Sequence, residues 1–387
     1  MLHGANLAPI RQRIGQRILE VREAAGLSQT DVAAELAVTR QTLARMERGK
    51  APVDSDMLLH LAVRFDRPVG YFYEDRDTAG LRLALRADHP QLLEPGLRNR
   101  LLDRLTAIAD LEAAAGLGQQ HGLPPTEPLE KAGERELAIV QDVAQEERGR
   151  LGLGQVATFF DPVAVLESLD IRVIPFELPP GPNGKILSGF SAFSDSLGAG
   201  IFINAHANLS VEHKNFSLAH EYAHLIFHRR AYREASAPYR TRGRGTSPEE
   251  KVANAFAGYL LVPTLGLRRF VGSLGVVTLT DIFEIKRIYR VSFAAVLTRL
   301  QQEGLVNKKL AGRFWAIWKV RDWQTQEPEA IEQGLCFHRR TERLARRAFE
   351  RGEVTQDFLV DVLDLKRKEV ATRLRQWEED ALIDAVP

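Results

Sequence analysis

The stretch Phe216-Ser-Leu-Ala-His220-Glu221-Tyr222-Ala223-His224-Leu-Ile-Phe-His228 carries the strongest signal in the chain. Read as a helix from Asn215 to His228, it sets His220 and His224 one turn apart on one face, so both imidazoles can reach one ion. Leu218, Ala219, Ala223, Leu225, Ile226 and Phe227 make this helix apolar and put both rings in or near a core. A buried imidazole without a partner is costly, and a metal is one way to satisfy it. Zinc accepts imidazole nitrogen and leaves a fourth position for water. Glu221, beside the first histidine, is placed to take a proton from that water as a general base. Two histidines on a helix can equally be packed polar residues, so the pattern alone leaves both readings open. His228, a further turn on, reads as a structural or supporting residue rather than a ligand.

A catalytic zinc takes three protein ligands, and the third is expected from a different element. The next helix, Ser247 to Leu261, opens with Glu249 and Glu250, and Glu250 shares a face with Asn254. Acids in a first turn are also favoured by the helix dipole alone. That second reading suits Glu249, and Glu250 is the preferred ligand. Zinc is the expected metal for two histidines and a carboxylate, with manganese (Mn2+) the alternative where carboxylate weighs more in the shell. Before the helix, Ile171-Arg-Val-Ile-Pro175 and Ala199-Gly-Ile-Phe-Ile-Asn204 read as strands, joined past a turn at Pro179-Pro-Gly-Pro-Asn-Gly184. Arg229 to Gly245 reads as a mobile loop.

Three pieces of text then go together: Ile201-Phe-Ile-Asn204, the stretch Phe216 to His228, and Glu250-Lys-Val-Ala-Asn-Ala-Phe-Ala-Gly-Tyr-Leu-Leu-Val-Pro263. In this combination the chain resembles the ImmA/IrrE family of metallopeptidases over roughly residues 160 to 300, with Tyr289 to Leu300 similar to the helical segment that follows. The resemblance implies a zincin-like fold, His220, His224 and Glu250 as zinc (Zn2+) ligands, Glu221 as general base, and a protein substrate. One departure is Val252, where many relatives carry an acid directly before the Ala-Asn pair. If the Asn204 strand is the edge of a sheet, it can hold an extended substrate by backbone pairing.

A second pattern runs from Ile14 to Phe72. Ile14, Ile18, Leu19, Val21 and Arg22 lie on a first helix that Gly26 stops, with Leu27 packed beneath. Ser28 caps a second helix from Gln29 to Leu36, Ala37-Val38 turns the chain, and Thr39 caps a third from Arg40 to Arg48, closed by Gly49. Two short helices about a tight turn are the helix-turn-helix layout, whose second helix enters the major groove. Arg and Gln suit base edges there. Residues 1 to 50 hold eight basic and five acidic side chains, a bias hidden by the whole-chain charge of +1. A helical bundle that binds protein has the same outline. Leu27-Ser-Gln-Thr-Asp-Val-Ala-Ala-Glu-Leu36 followed by Thr42-Leu-Ala-Arg-Met-Glu-Arg-Gly49 resembles the xenobiotic-response-element (XRE) class of helix-turn-helix. That resemblance implies contacts to a double-stranded DNA operator from Gln29, Arg40, Gln41, Thr42 and Arg45, and binding as a homodimer.

The expected architecture is α+β. An all-α helix-turn-helix domain spans 10–78 and a helical linker region 79–155. A zincin-like metallopeptidase domain with a small sheet spans 156–305, and a helical C-terminal region 306–387. The tail from 330 reads as a basic helix, Phe337 to Gly352, and a charged one, Asp364 to Trp377, presenting solvated faces as a C-terminal extension. Covering the cleft or binding a partner is the other reading. Cys336 is the single cysteine, so no internal disulfide or thiolate cage forms, which suits a reducing compartment. Met1-Leu2-His3-Gly4 has no signal-peptide layout and no apolar run is long enough to span a bilayer, so no membrane partner and a cytoplasmic location are expected. The functional expectation is a DNA-binding transcriptional regulator with a zinc-dependent endopeptidase domain. It would cleave a repressor or other regulatory protein in a stress, mobile-element or toxin–antitoxin circuit. The alternative is a transcription factor or antitoxin whose zincin-like domain senses a ligand or partner without proteolysis.

Overall fold

A computed structural model describes residues 8–25, 27–65, 67, 69–73, 86–87, 93, 95–117, 122–124, 129, 131–156, 158, 161–181, 184–194, 197–229, 247–272 and 275–384. Gly26 and most of the loop predicted after Arg229 lie outside the described residues. The chain divides into two compact units. One contains residues 1–81, 93–118 and 341–387, and the other residues 82–92 and 119–340.

The first unit opens with α1 (Ala8–Ala24), α2 (Gln29–Glu35), α3 (Arg40–Glu47) and α4 (Ser55–Arg64), then a 3-10 turn at Val69–Phe72. The caps are those predicted. The Ser28 hydroxyl accepts from Asp31 N in a capping box, and Thr39 Oγ1 accepts from Thr42 N. These satisfy amide groups that a helix start leaves open. Gly49 has φ +68° and donates to Met46 O, while Lys50 N donates to Arg45 O, the hydrogen-bond pair that closes a helix through a left-handed residue. Ala37 also lies in the left-handed region, at φ 53°. Ile14, Ile18, Val32, Leu43, Leu58, Leu61 and Phe72 fill the core. The same unit holds α5 (Pro95–Ala114) and, after the second unit, α15 (Gln356–Leu363) and α16 (Arg367–Asp384). Arg17 bridges α1 to Asp103 of α5 at 2.9 Å, and Arg67 meets Asp361 of α15 at 2.8 Å.

The second unit contains β1 (Arg86–Ala87), α6 (Glu134–Arg150), α7 (Pro162–Ser168), β2 (Arg172–Phe176), β3 (Gly189–Ser194) and β4 (Gly198–Asn204). It continues with α8 (Val211–Phe227), α9 (Pro248–Leu261), α10 (Thr264–Val271), α11 (Leu279–Tyr289), α12 (Phe293–Gln302) and α13 (Lys308–Val320). α14 (Arg339–Glu350) begins at its end and runs on into the first unit. The sheet order is β1-β3-β4-β2. β2 runs parallel to β4, and β3 antiparallel to it with Phe190 opposite Phe202, their rings stacked at 4.5 Å.

This order corrects one expectation. β4, which ends at Asn204, is paired on both sides, so it is no edge and its backbone cannot take an added strand. All seven of its residues are buried, as a central strand requires. Two strands are missed in the sequence, β3 and the two-residue β1, which lies in the stretch read as a helical linker and pairs with β3. The text of β3, Gly189-Phe-Ser-Ala-Phe-Ser194, is short and rich in serine, and it becomes a strand by pairing with β4.

α8 packs on β3 and β4, and α9 packs on α8 and on α6. Leu218, Tyr222, Leu225, Phe256 and Leu260 lie in one buried cluster with strand residues Val173, Ile201 and Ile203. α8 starts at Val211, earlier than expected, because Ser210 supplies the cap by accepting from His213 N. Burial of whole charged groups braces this layer. Arg148 donates to Gly154 O and Leu260 O, and Tyr222 OH lies 2.5 Å from Glu147 Oε2 and from Arg150 NH2. Burial pushes the Tyr222 phenol far above its ordinary range, so it stays neutral and donates to Glu147. Lys286 of α11 pairs with fully buried Glu212 in the first turn of α8.

Candidate metal centre and DNA-binding surface

His220, Glu221 and His224 sit in the C-terminal half of α8, each buried. Glu250 reaches them from the first turn of α9, where the Ser247 hydroxyl accepts from Glu250 N at 3.3 Å and sets the helix start. One ligand atom from each of His220, His224 and Glu250 lies within 4.8 Å of the others. The two Nε2 atoms are 3.0 Å apart. Glu250 Oε2 is 3.1 Å from His220 Nε2, and Oε1 is 3.5 Å from His224 Nε2. Tetrahedral ligands at zinc distances stand about 3.3 Å from one another, so the spacing of these donors fits a single ion. Glu249 belongs to the same turn but not to this cluster.

The outer contact on His220 selects the form of the ring that such an ion needs. His220 Nδ1 lies 3.0 Å from Asn254 Oδ1, an acceptor, so a neutral His220 carries its proton on Nδ1 and leaves Nε2 bare. Asn254 is one turn beyond Glu250 on the same face of α9. His224 Nδ1 lies 2.9 Å from His228 Nδ1, which places His228 behind the second ring and outside the cluster. Glu221 Oε2 accepts from Ser191 Oγ at 2.8 Å. Ser191 comes from β3, one of the strands that sequence reasoning missed. Nothing in its local text singles it out, since its role depends on a residue 30 positions away.

Asn204, at the end of β4, is structural. Its side chain is fully buried and donates to Leu178 O and Leu187 O, while accepting from Leu178 N and His206 N. It clips the segments around β4 together. His213, two turns before His220, lies 2.8 Å from Ser188 Oγ. Burial, and then the neighbouring Lys214 charge, hold its imidazole below the usual histidine range.

In the first unit, Arg40, Gln41 and Arg45 of α3 are exposed, and Thr42 is half-buried against Thr39. Gln29 points at α3, donating from Nε2 to Glu47 Oε2 at 2.7 Å. Glu47 in turn accepts from Arg22 Nε at 2.5 Å, a buried ion pair that joins α1 to α3. Gln29, Arg40 and Gln41 share a cavity of about 460 Å³ with Glu47 and Arg48. Thr42 and Arg45 do not line it.

Residues 18–72 match the helix-turn-helix family model, and residues 166–301 match the IrrE N-terminal-like domain. The chain carries a helix-turn-helix domain followed by an IrrE-like domain. The pairing is that of a DNA-binding regulator with a metallopeptidase-like domain, and a divalent metal accompanies that family. The IrrE-like match begins inside α7 and ends in α12, so it takes in the sheet strands β2 to β4 and both helices of the candidate metal centre. No curated protein matched the chain. A crystal structure of ComR from Streptococcus suis aligns over 97% of this chain and 96% of that one at 12% identity, with a TM-score of 0.16, too low to argue a shared fold. Among the described residues, no helix is long and apolar enough to cross a membrane.

Proposed function

We propose that this chain is a cytoplasmic transcriptional regulator whose IrrE-like domain is a zinc-dependent endopeptidase acting on a repressor or other regulatory protein. The observation that carries the reading is the convergence of His220, His224 and Glu250, with donor spacings that suit one tetrahedral ion, directly beside Glu221. His220 Nε2, His224 Nε2 and a Glu250 oxygen are the proposed ligands. A zinc ion held there would supply a water of lowered pKa and polarise the scissile carbonyl. Glu221 would take the proton from that water on its carboxylate and pass it to the leaving amine. The Ser191 hydroxyl would hold Glu221 in the orientation this transfer needs. Asn254 and His228 would keep the two imidazoles in the correct tautomer and plane. Gln29, Arg40, Gln41, Thr42 and Arg45 are the proposed operator contacts, made by a homodimer on paired half-sites.

The test compares metal content and cleavage in wild type and Glu221→Gln, using the chain itself and repressors encoded beside its gene as substrates. About one zinc in each protein with cleavage by wild type alone supports Glu221 as the base. Zinc in both and cleavage in neither makes the domain a sensor or structural module, with DNA binding as the primary function. No metal in either removes the basis of the peptidase reading.

A further inference from the structure

α14 buries Thr341, Leu344, Ala345 and Ala348, which recur at helical spacing along one face. On the opposite face stand Arg339, Arg343 and Arg347, four residues apart and exposed. Arg351 continues the row. Its amide still donates to Arg347 O, and the helix closes only afterwards, where Gly352 at φ +73° donates to Phe349 O and Glu353 N to Ala348 O. The result is a row of four exposed arginines about one turn apart, winding around the helix by about 40° at each step.

The acids of this helix do not neutralise the stripe. Glu342 is paired with Arg373 of α16, and Glu350 with Arg346, which also reaches Asp380 of α16. Among the described residues no ion pair engages Arg343 or Arg347, and Arg351 meets only exposed Glu353 at 3.9 Å. An exposed pair at that distance contributes little. Four like charges about 6 Å apart on one helix repel one another, so a stripe of this kind is stabilised by an anionic partner with repeating charge. Duplex DNA carries one charge per strand for every ~3.4 Å of axis, dense enough to give each guanidinium its own phosphate. Arginine also meets phosphate through two parallel N–H donors, which lysine cannot do. From Thr341 onward, α14 belongs to the compact unit that contains the helix-turn-helix.

We propose that the arginine stripe of α14 is a second, sequence-independent DNA contact that grips backbone phosphate. The inference goes beyond the helix-turn-helix reading, and the two can be tested separately. Arg343, Arg347 and Arg351 are changed together to Gln in the full chain, and Arg40 and Arg45 together to Gln in a second variant. Arg339 is left intact because it contacts Cys336 Sγ. Binding to a mixed-sequence duplex is measured by fluorescence anisotropy from about 50 to about 200 mM salt, where each phosphate contact adds ~0.9 to the slope of log affinity against log salt. The stripe variant should lower that slope by about 2.7, equivalent to ~40-fold less affinity lost across the range than in wild type. The Arg→Lys version at the same three positions should restore most of the slope, which a folding defect would not do. An unchanged slope in the stripe variant with a lowered slope in the Arg40/Arg45 variant overturns the stripe and leaves the helix-turn-helix reading standing, and an acidic protein surface then becomes the stripe's partner. The reverse pattern supports the stripe and defeats the other reading. No DNA binding by wild type overturns both.

Discussion

Replacing Asn254 with Ala should weaken zinc binding without removing any ligand. Asn254 Oδ1 accepts from His220 Nδ1 at 3.0 Å and so keeps the lone pair on Nε2, the atom that faces His224 and Glu250. Loss of such a supporting contact costs 10- to 100-fold in metal affinity, about 1.4 to 2.7 kcal/mol. Asn254 is exposed, so water can take over the hydrogen bond from Nδ1. That argues for the lower end, about tenfold or ~1.4 kcal/mol. Asn254→Asp, which also accepts and adds charge, should bind at least as tightly as wild type. The assay is competition against a chromogenic chelator, with metal-dependent thermal stability as the second readout. Affinities equal within about threefold for wild type and Asn254→Ala would refute the reasoning, because the tautomer would then be set elsewhere.

Three other outcomes are expected. Ser191→Ala should lower kcat by roughly tenfold while leaving zinc content unchanged, and loss of zinc with kcat intact would show that Ser191 does not act through Glu221. Gly15→Ala should destabilise the first unit by about 1–3 kcal/mol, although alanine is the better helix former by ~1 kcal/mol, because the added Cβ would meet Met46 O at 2.1 Å. A variant more stable than wild type in urea unfolding would mean that α1 and α3 are not in such close contact. His213 is held below its ordinary value of 6.5 by burial and then by Lys214, so its contribution to stability is present above 6.5 and is lost as pH falls through the depressed native value. Unfolding of wild type against His213→Gln, followed from neutral into acid, should therefore shift in favour of the variant. A difference independent of pH contradicts this sign.

The sequence by itself determined what depends on near neighbours in the chain. Ser28 and Thr39 as caps, Gly49 as the closing residue, and His220 with His224 on one face all follow from helical geometry over a few residues. The text from Glu250 to Pro263 was legible for the same reason, as a helix with acids in its first turn. Only the tertiary structure decided what depends on pairing across long separations. β3 exists because β4 supplies its hydrogen bonds, and Ser191 matters because α8 is laid across that strand to bring Glu221 within 2.8 Å. β4 ends in an asparagine that looks available from the sequence, yet β2 and β3 enclose it on both sides and its amide is spent on Leu178 and Leu187. The tail gave the clearest contrast. Its alternating charges read as a solvated face, but where those charges end up depends on α16, which takes up Glu342 through Arg373 and leaves Arg343 and Arg347 without an ion pair among the described residues. Local spacing sets which side of a helix a residue occupies, and the partner that side meets is chosen by the fold.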